Sequence, residues 1–455
     1  MIQENPLGVL PVKKLIVKYS IPTAITLMVN YLYNIADQLF IGQGVGVNGM
    51  AATNVAFPLT ILAIALGLLI GDGSAAAISL CLGRKQQEEA DRTLSHAYTL
   101  LIIAGILVTV LCFAFAPYIV VLFGSTDATY NLSMDYVRTI CFGLPFLMIS
   151  SSLTAIIRAD GNPKYTMKCM IAGALINIVL DPIFIFVFDM GVVGAGIATI
   201  IGEIVAGAAC LMYAPRFKTV KIKKKFLLPT AYTTKRILSL GVPSLFMQIL
   251  NAGVQIAMNN LMTIYGAFTV YGSETALSAY GMMMKIYQIT HAMFVGLSSA
   301  IQPINGYNFG AKKFSRVKET ITTAVKWAIL ISSIWFLIFQ IFGKYIGMAF
   351  VPGDAVFADC AKHLFRIYMA CFFISGVHNV IASFFQAIGK PKLSLAIPTV
   401  RQAVLLIPLA FILANFFGFN GALIAAPISD ISVFLLSIVL LRRELKKIDS
   451  YKEAE

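Results

Sequence analysis

Ionisable side chains lie well inside apolar runs of this chain: Asp37, Asp72, Asp181 and Glu203 in its first half, and Lys285, His291, His378, Arg401 and Asp430 in its second. A charge at mid-membrane costs at least about 2.5 kcal/mol, so each is a candidate for function. Asn177 and Asp181 are spaced i, i+4, which puts them on one helix face. Pro182 follows at once; lacking an amide hydrogen, it leaves the carbonyl of Ile178 without its helical donor. Ala195 and Thr199 repeat the i, i+4 spacing beyond a short Gly191–Gly194 corner, so the two polar faces can converge. Together with Asp37 they offer two carboxylates, an amide oxygen, a hydroxyl and a backbone carbonyl. All are hard oxygen ligands, suited to Na⁺ or to a shared proton. Two carboxylates held together repel until a proton or a cation joins them. The pattern predicts a cation site on Asp37, Asn177, Asp181 and Thr199.

The elements that must position these groups are membrane helices. Of the 455 residues 58% are apolar and only 12% charged, and the mean hydropathy is +0.83. A soluble domain carries about 25% charged residues, so this chain has too few to cover a water-facing surface. A soluble multidomain enzyme is excluded, and so are disordered and collagen-like chains. Crossing ~30 Å of hydrocarbon takes about 20 residues of helix. Twelve apolar segments meet that requirement, at roughly 15–41, 51–82, 95–122, 136–157, 166–188, 192–214, 237–265, 276–304, 320–349, 362–388, 393–415 and 419–441. Turns punctuate them, among them Gly83-Arg84-Lys85, Gly124-Ser125-Thr126-Asp127 and Gly389-Lys390-Pro391-Lys392.

The net charge of +14 suggests nucleic acid until the basic residues are placed. Sorted onto alternate sides of twelve spans, most of the 35 fall on one side, eight of them in the stretch Arg216–Arg236. The positive-inside rule then puts both termini in the cytoplasm and predicts a multi-pass plasma or inner membrane protein with no nucleic-acid partner. The first apolar run is too long for a cleavable signal and contains Asp37. Seven cysteines lie almost all within spans and form no C-x-x-C pair, so they read as small buried hydrophobes.

The chain repeats. Ser20-Ile21-Pro22 aligns with Gly241-Val242-Pro243, Leu82-Gly83-Arg84-Lys85 with Phe309-Gly310-Ala311-Lys312, and Asp160-Gly161-Asn162-Pro163-Lys164 with Ile388-Gly389-Lys390-Pro391-Lys392. Gly194-Ala195-Gly196 aligns with Gly421-Ala422-Leu423, and Glu203 falls on Asp430. Six spans per repeat make the duplication parallel, with a pseudo-two-fold axis along the membrane normal and a cavity between the halves. The expected organisation is an N-terminal lobe (1–214), a basic cytoplasmic linker (215–236), a C-terminal lobe (237–445) and a cytoplasmic tail (446–455). Asp37 maps to Met258, so it and Asp181 have no acidic counterpart and are the stronger candidates for a specific task. Asp72, Glu203, Lys285 and His291 are candidates for lining the cavity. Met258 and Met282, in a methionine-rich stretch, could present the adaptable surface that suits varied ligands. His378 reads as a packed neutral imidazole.

At these residues the sequence resembles the MATE (multidrug and toxic compound extrusion) family, near its bacterial MepA-like branch. The resemblance covers about residues 10–445. It rests on Pro22…Asp37, Asn177-x-x-x-Asp181-Pro182, Gly191-Val192-Val193-Gly194-Ala195-Gly196-Ile197-Ala198-Thr199, Gly306-Tyr307-Asn308-Phe309-Gly310-Ala311 and Ser383-Phe384-Phe385-Gln386-Ala387-Ile388-Gly389. It implies an all-α membrane protein, with twelve helices in two six-helix lobes forming a V around a central cavity. It implies export of cationic amphiphilic drugs by alternating access, driven by H⁺ or Na⁺, with no further cofactor and no catalytic residues. It also implies a coupling site at Asp37, Asn177, Ala195 and Thr199, with Asp181, and a first helix that bends near Pro22. Members with a second acidic centre carry a carboxylate in the seventh span, where this chain has Met258-Asn259-Asn260; coupling is therefore expected in the N-terminal lobe alone. A lipid-linked oligosaccharide flippase of the same superfamily is the alternative, but it needs basic cavity residues, and only Lys285 and Arg401 qualify. The expected partners are small cationic molecules and the bilayer, acting on a monomer.

Overall fold

The computed structural model of the protein describes residues 5–123, 125, 129–351 and 353–450. Of the turn Gly124-Ser125-Thr126-Asp127, all but Ser125 lie outside the described residues, as does the end of the tail from 451. Helices account for the regular structure, and no strand occurs among the described residues. The first three spans are Val12–Gly44, Val47–Gly83 and Gln87–Ala114. The fourth is a pair, Tyr130–Ile140 and Leu144–Ala159, bent by 52°. The fifth, Pro163–Pro182, runs on into a π turn at Ile183–Val187, and the sixth is Gly191–Leu211. In the second repeat, Ala231–Gly266, Gly272–Gly310 and Phe314–Phe350 come first. Ala355–Tyr368 and Phe372–Ala387 follow, bent by 50°. The last helical stretch, 391–449, leaves helical conformation at Gly418 (φ 59°, ψ −138°), which divides it into the eleventh and twelfth spans.

Eight of these helices are long and apolar enough to cross a bilayer alone, and ten are when each bent pair is taken as one. That count takes 391–449 once, and it omits Gly272–Gly310, which is 39 residues long but diluted by Lys285, Gln288, His291 and Gln302. With both restored, each of the twelve segments expected from the sequence pattern lies on a helix.

The chain forms two compact units. One is Ile21–Leu245; the other takes Gly8–Ser20 and the chain from Phe246. The division therefore differs from the expected 214/237 boundary. It falls inside the first and seventh spans, beside Pro22 and Pro243, and assigns the basic stretch 215–236 to the first unit. Hydrogen bonds explain why that stretch is no free linker. The carboxylate of Asp160, only 5% exposed, accepts from Tyr213 Oη at 2.8 Å, from the Lys218 and Thr219 amides, and from the Thr219 hydroxyl. Asp91 accepts from the Lys221 amide at 2.9 Å and pairs with Lys223 Nζ at 2.7 Å, which holds that ammonium above its usual range. Lys225 Nζ pairs with Glu88 at 2.9 Å.

The start of the seventh span packs on the second at backbone contact. A Cβ at Gly241 would stand 1.7 Å from the Leu69 carbonyl, and one at Gly73 2.1 Å from that of Ile237. Ser244 Oγ donates to Asp72 at 2.7 Å, with Arg158 4.0 Å from the same carboxylate. Asp72, a candidate for the cavity, is thus bound into a structural contact of the first unit. At Pro22 the first helix is continuous, and the Thr26 hydroxyl takes up the Pro22 carbonyl at 2.8 Å.

Asp160→Asn replaces an all-acceptor carboxylate facing four donors with a group that itself donates, and should destabilise the protein by roughly 2–3 kcal/mol. Tyr213→Phe removes one donor and should cost about 1 kcal/mol. Thermal unfolding of the purified variants checks this; equal shifts for the two would contradict the role given to Asp160.

Candidate cation site

The site is built where helices come unusually close. A Cβ on Gly173 would stand 2.6 Å from the Gly202 carbonyl, and one on Gly202 2.8 Å from that of Gly173. This glycine pair lets the fifth and sixth spans touch backbone to backbone. One turn on, the Asn177 amide donates to Asp181 Oδ1 at 3.2 Å and reaches Thr199 Oγ1 at 3.4 Å. The i, i+4 pair read from the sequence is therefore a contact, and the cross-helix partner is the one expected.

Pro182 then breaks the helical hydrogen-bond register, and the chain answers with the π turn. Phe188 N donates to the Ile183 carbonyl and Met190 N to that of Phe184, both at 3.0 Å. Single π turns of this kind mark functional positions in many helices. The π turn also receives the end of the first span: a Cβ on Gly44 would meet Ile185 Cγ2 at 2.2 Å. Two turns back from Gly44, Asp37 comes within direct interaction range of Asp181. Gln38, next to it, is held by a 3.1 Å bond to Thr53 of the second span.

All three polar members are buried: Asp37 is 7% exposed, Asn177 3% and Asp181 0%. Asp37 Oδ1, Asp181 Oδ2 and Asn177 Oδ1 are buried acceptors with no hydrogen-bond partner in the protein. Among the described residues the two aspartate atoms are the only carboxylate oxygens in that condition. Leaving buried acceptors unmatched is costly, and a bound proton or small cation would relieve that cost. The Thr199 hydroxyl is the fourth oxygen. Ala195, one turn before it, is fully buried beside Ile41, Ile185 and Val192, and can offer only its carbonyl. No trio of His, Cys, Asp and Glu gathers among the described residues, so the donors fit a hard monovalent ion or a proton and not a transition metal.

Two phenols complete the surroundings. Tyr33 and Tyr136 both lie within electrostatic reach of Asp37, Asp181 and Glu203. The sequence held a faint signal for Tyr33, which stands i−4 from Asp37, and none for Tyr136, which arrives from the fourth span through tertiary packing alone.

The second-unit candidates lie elsewhere. Met258 and Met282 are 1% and 4% exposed, packed in an apolar core with Tyr280, Phe294 and Phe365, and present no surface to a ligand. Lys285 is exposed. His291 stacks on Tyr287 with ring centroids 5.6 Å apart, His378 is buried, and Arg401 pairs with Asp430 at 2.8 Å.

Comparisons with known proteins agree with this architecture. The chain is 27% identical over 440 residues to the multidrug export protein MepA of Staphylococcus aureus (strain N315), covering 96% of this chain and 95% of that protein. It is 25% identical over 429 residues to the protein of that name from Staphylococcus haemolyticus, covering 94% and 93%. Its fold matches a MOP superfamily transporter from Pyrococcus furiosus with a TM-score of 0.90 at 23% identity, over 98% of each chain. An outward-facing multidrug resistance MATE family transporter gives the same score at 24% identity, again over 98% of each. The MatE family model matches twice, at residues 22–183 and 243–412, once in each repeat. The chain, all-helical among its described residues, belongs to the MatE family.

Proposed function

We propose that this protein is a cation-coupled antiporter of the inner or plasma membrane that exports cationic amphiphilic compounds by alternating access. The observation that carries the reading is the Asp37–Asp181 pair, two buried carboxyls in interaction range, each with one oxygen that has no hydrogen-bond partner. Such a pair binds a cation or a proton strongly and repels itself when bare. Asn177 and Thr199 hold the second carboxylate in place, so ion arrival is felt chiefly by Asp37 and the first span that carries it. That span has its proline where the chain passes from one compact unit to the other, a position from which a change of bend acts on both. If the ion and a cationic substrate favour different bends, each weakens binding of the other by the same factor. The relatives named multidrug export proteins point the same way. The flippase alternative gains nothing: Arg401 is engaged by Asp430, and pyrophosphate would need several basic groups.

Asp37→Asn and Asp181→Asn should each reduce gradient-driven efflux of a cationic dye by tenfold or more in proteoliposomes, with insertion verified. Efflux at the wild-type level in both variants would refute the proposal. Imposing pH and Na⁺ gradients separately in the same vesicles identifies the coupling ion: the driving gradient supports counterflow and the other does not. For topology, Lys225→Cys should react with a membrane-impermeant maleimide only after the cytoplasmic face is opened. Labelling on intact cells would invert the proposed orientation of the termini.

A further inference from the structure

The repeats carry an acid at the same register, Glu203 and Asp430, and treat it in opposite ways. In the first unit Glu203 rests against the Cys141–Gly143 bend of the fourth span. A Cβ at Gly143 would stand 2.3 Å from Glu203 Oε2, so the carboxylate fills room that only glycine leaves. Tyr33 and Tyr136, the two phenols within electrostatic reach of Asp37 and Asp181, are within its reach as well. No basic side chain pairs with Glu203 among the described residues. In the second unit the matching bend is Met369–Cys371, and Cys371 stands at the register of Gly143, within electrostatic reach of Asp430. There the acid is answered from inside the protein. Arg401 Nε donates to Asp430 Oδ1 at 2.8 Å, and the two side chains are only 12% and 7% exposed. Tyr287, His291, Tyr368 and His378 complete the groups facing this guanidinium.

We propose that Glu203 receives a mobile cation, and that Arg401 is a tethered substitute for that cation in the second repeat, which fixes Asp430 and keeps this half out of the coupling cycle. A guanidinium locked to a buried carboxylate cannot leave with the transported species. The duplication therefore yields one exchanging acid and one permanently filled copy. The inference rests on the antiport reading; it adds to the first unit one acid that shares the phenols Tyr33 and Tyr136 with Asp37 and Asp181, and explains why the second unit adds none.

The test counts cation equivalents bound per chain by the full-length purified protein, using tetraphenylphosphonium as the probe. Equilibrium dialysis reads bound probe, and potentiometry reads protons released on its addition. Glu203→Gln should lose one equivalent or weaken probe binding by at least tenfold. Arg401→Gln should gain one equivalent: a second bound probe if the vacated place takes the substrate cation, an additional released proton if it takes the coupling ion. Arg401→Lys should keep the wild-type count, and Arg401→Gln with Asp430→Asn should restore it. Wild-type counts in folded Arg401→Gln, or wild-type binding in Glu203→Gln, would overturn the proposal. If Arg401→Gln does not fold, Glu203→Gln and Arg401→Lys decide it. Failure of the antiport reading itself shows separately, as undiminished efflux in Asp37→Asn and Asp181→Asn.

Discussion

Inside a bilayer no water completes an unmet hydrogen bond, and that constraint orders this molecule. Several of the charged and amide groups placed at depth have been given partners within the protein. Asp72 has Ser244 and Arg158, Arg401 has Asp430, and Gln402 has Asn251 at 2.7 Å. The buried Oδ1 of Asp37 and Oδ2 of Asp181 stand out among these, as the only buried carboxylate oxygens left unmatched among the described residues. A proton or cation bound there would complete them, as the antiport proposal requires. Stability and function here use one principle with opposite signs.

The same constraint explains which parts of the molecule were legible in the sequence. Spans, their even number and the duplication follow from hydropathy, basic loops and repeated turn residues, all of which a bilayer imposes locally. The Asn177–Asp181 face was legible because i, i+4 spacing is local geometry, and Thr199 because a short corner leaves little freedom. Tyr136 was not, since nothing near it in sequence indicates that the fourth span leans toward Asp37. Met258 and Met282 misled for a related reason: methionine suits a core and a ligand surface equally, and only packing shows that these are in the core. Asp72 looked like the other buried acids until its hydroxyl partner arrived from more than 170 positions away.

Glycine and proline do the positioning. The Gly173/Gly202 contact sets the distance between the helices that hold Asn177 and Thr199, and Pro182 with its π turn sets the direction from which Asp181 meets the first span. Neither residue type touches an ion. Both determine whether oxygens from three helices share one place, which is why a change of a single methyl group there would be felt at the site.

The cut between the compact units has a consequence for how the chain is made. The first unit needs the start of the seventh span, which packs on Gly73 and Asp72, so it cannot close until synthesis has passed residue 245. The second unit in turn holds the earliest segment of all: Lys313 Nζ and Arg316 Nη2 bind the carbonyls of Gly8 and Leu10 at 3.2 and 2.6 Å. The N-terminal segment must therefore wait through two-thirds of translation before its partners leave the ribosome. A chain interrupted at the central basic stretch would leave two incomplete halves, each missing a strip of helix that the other carries.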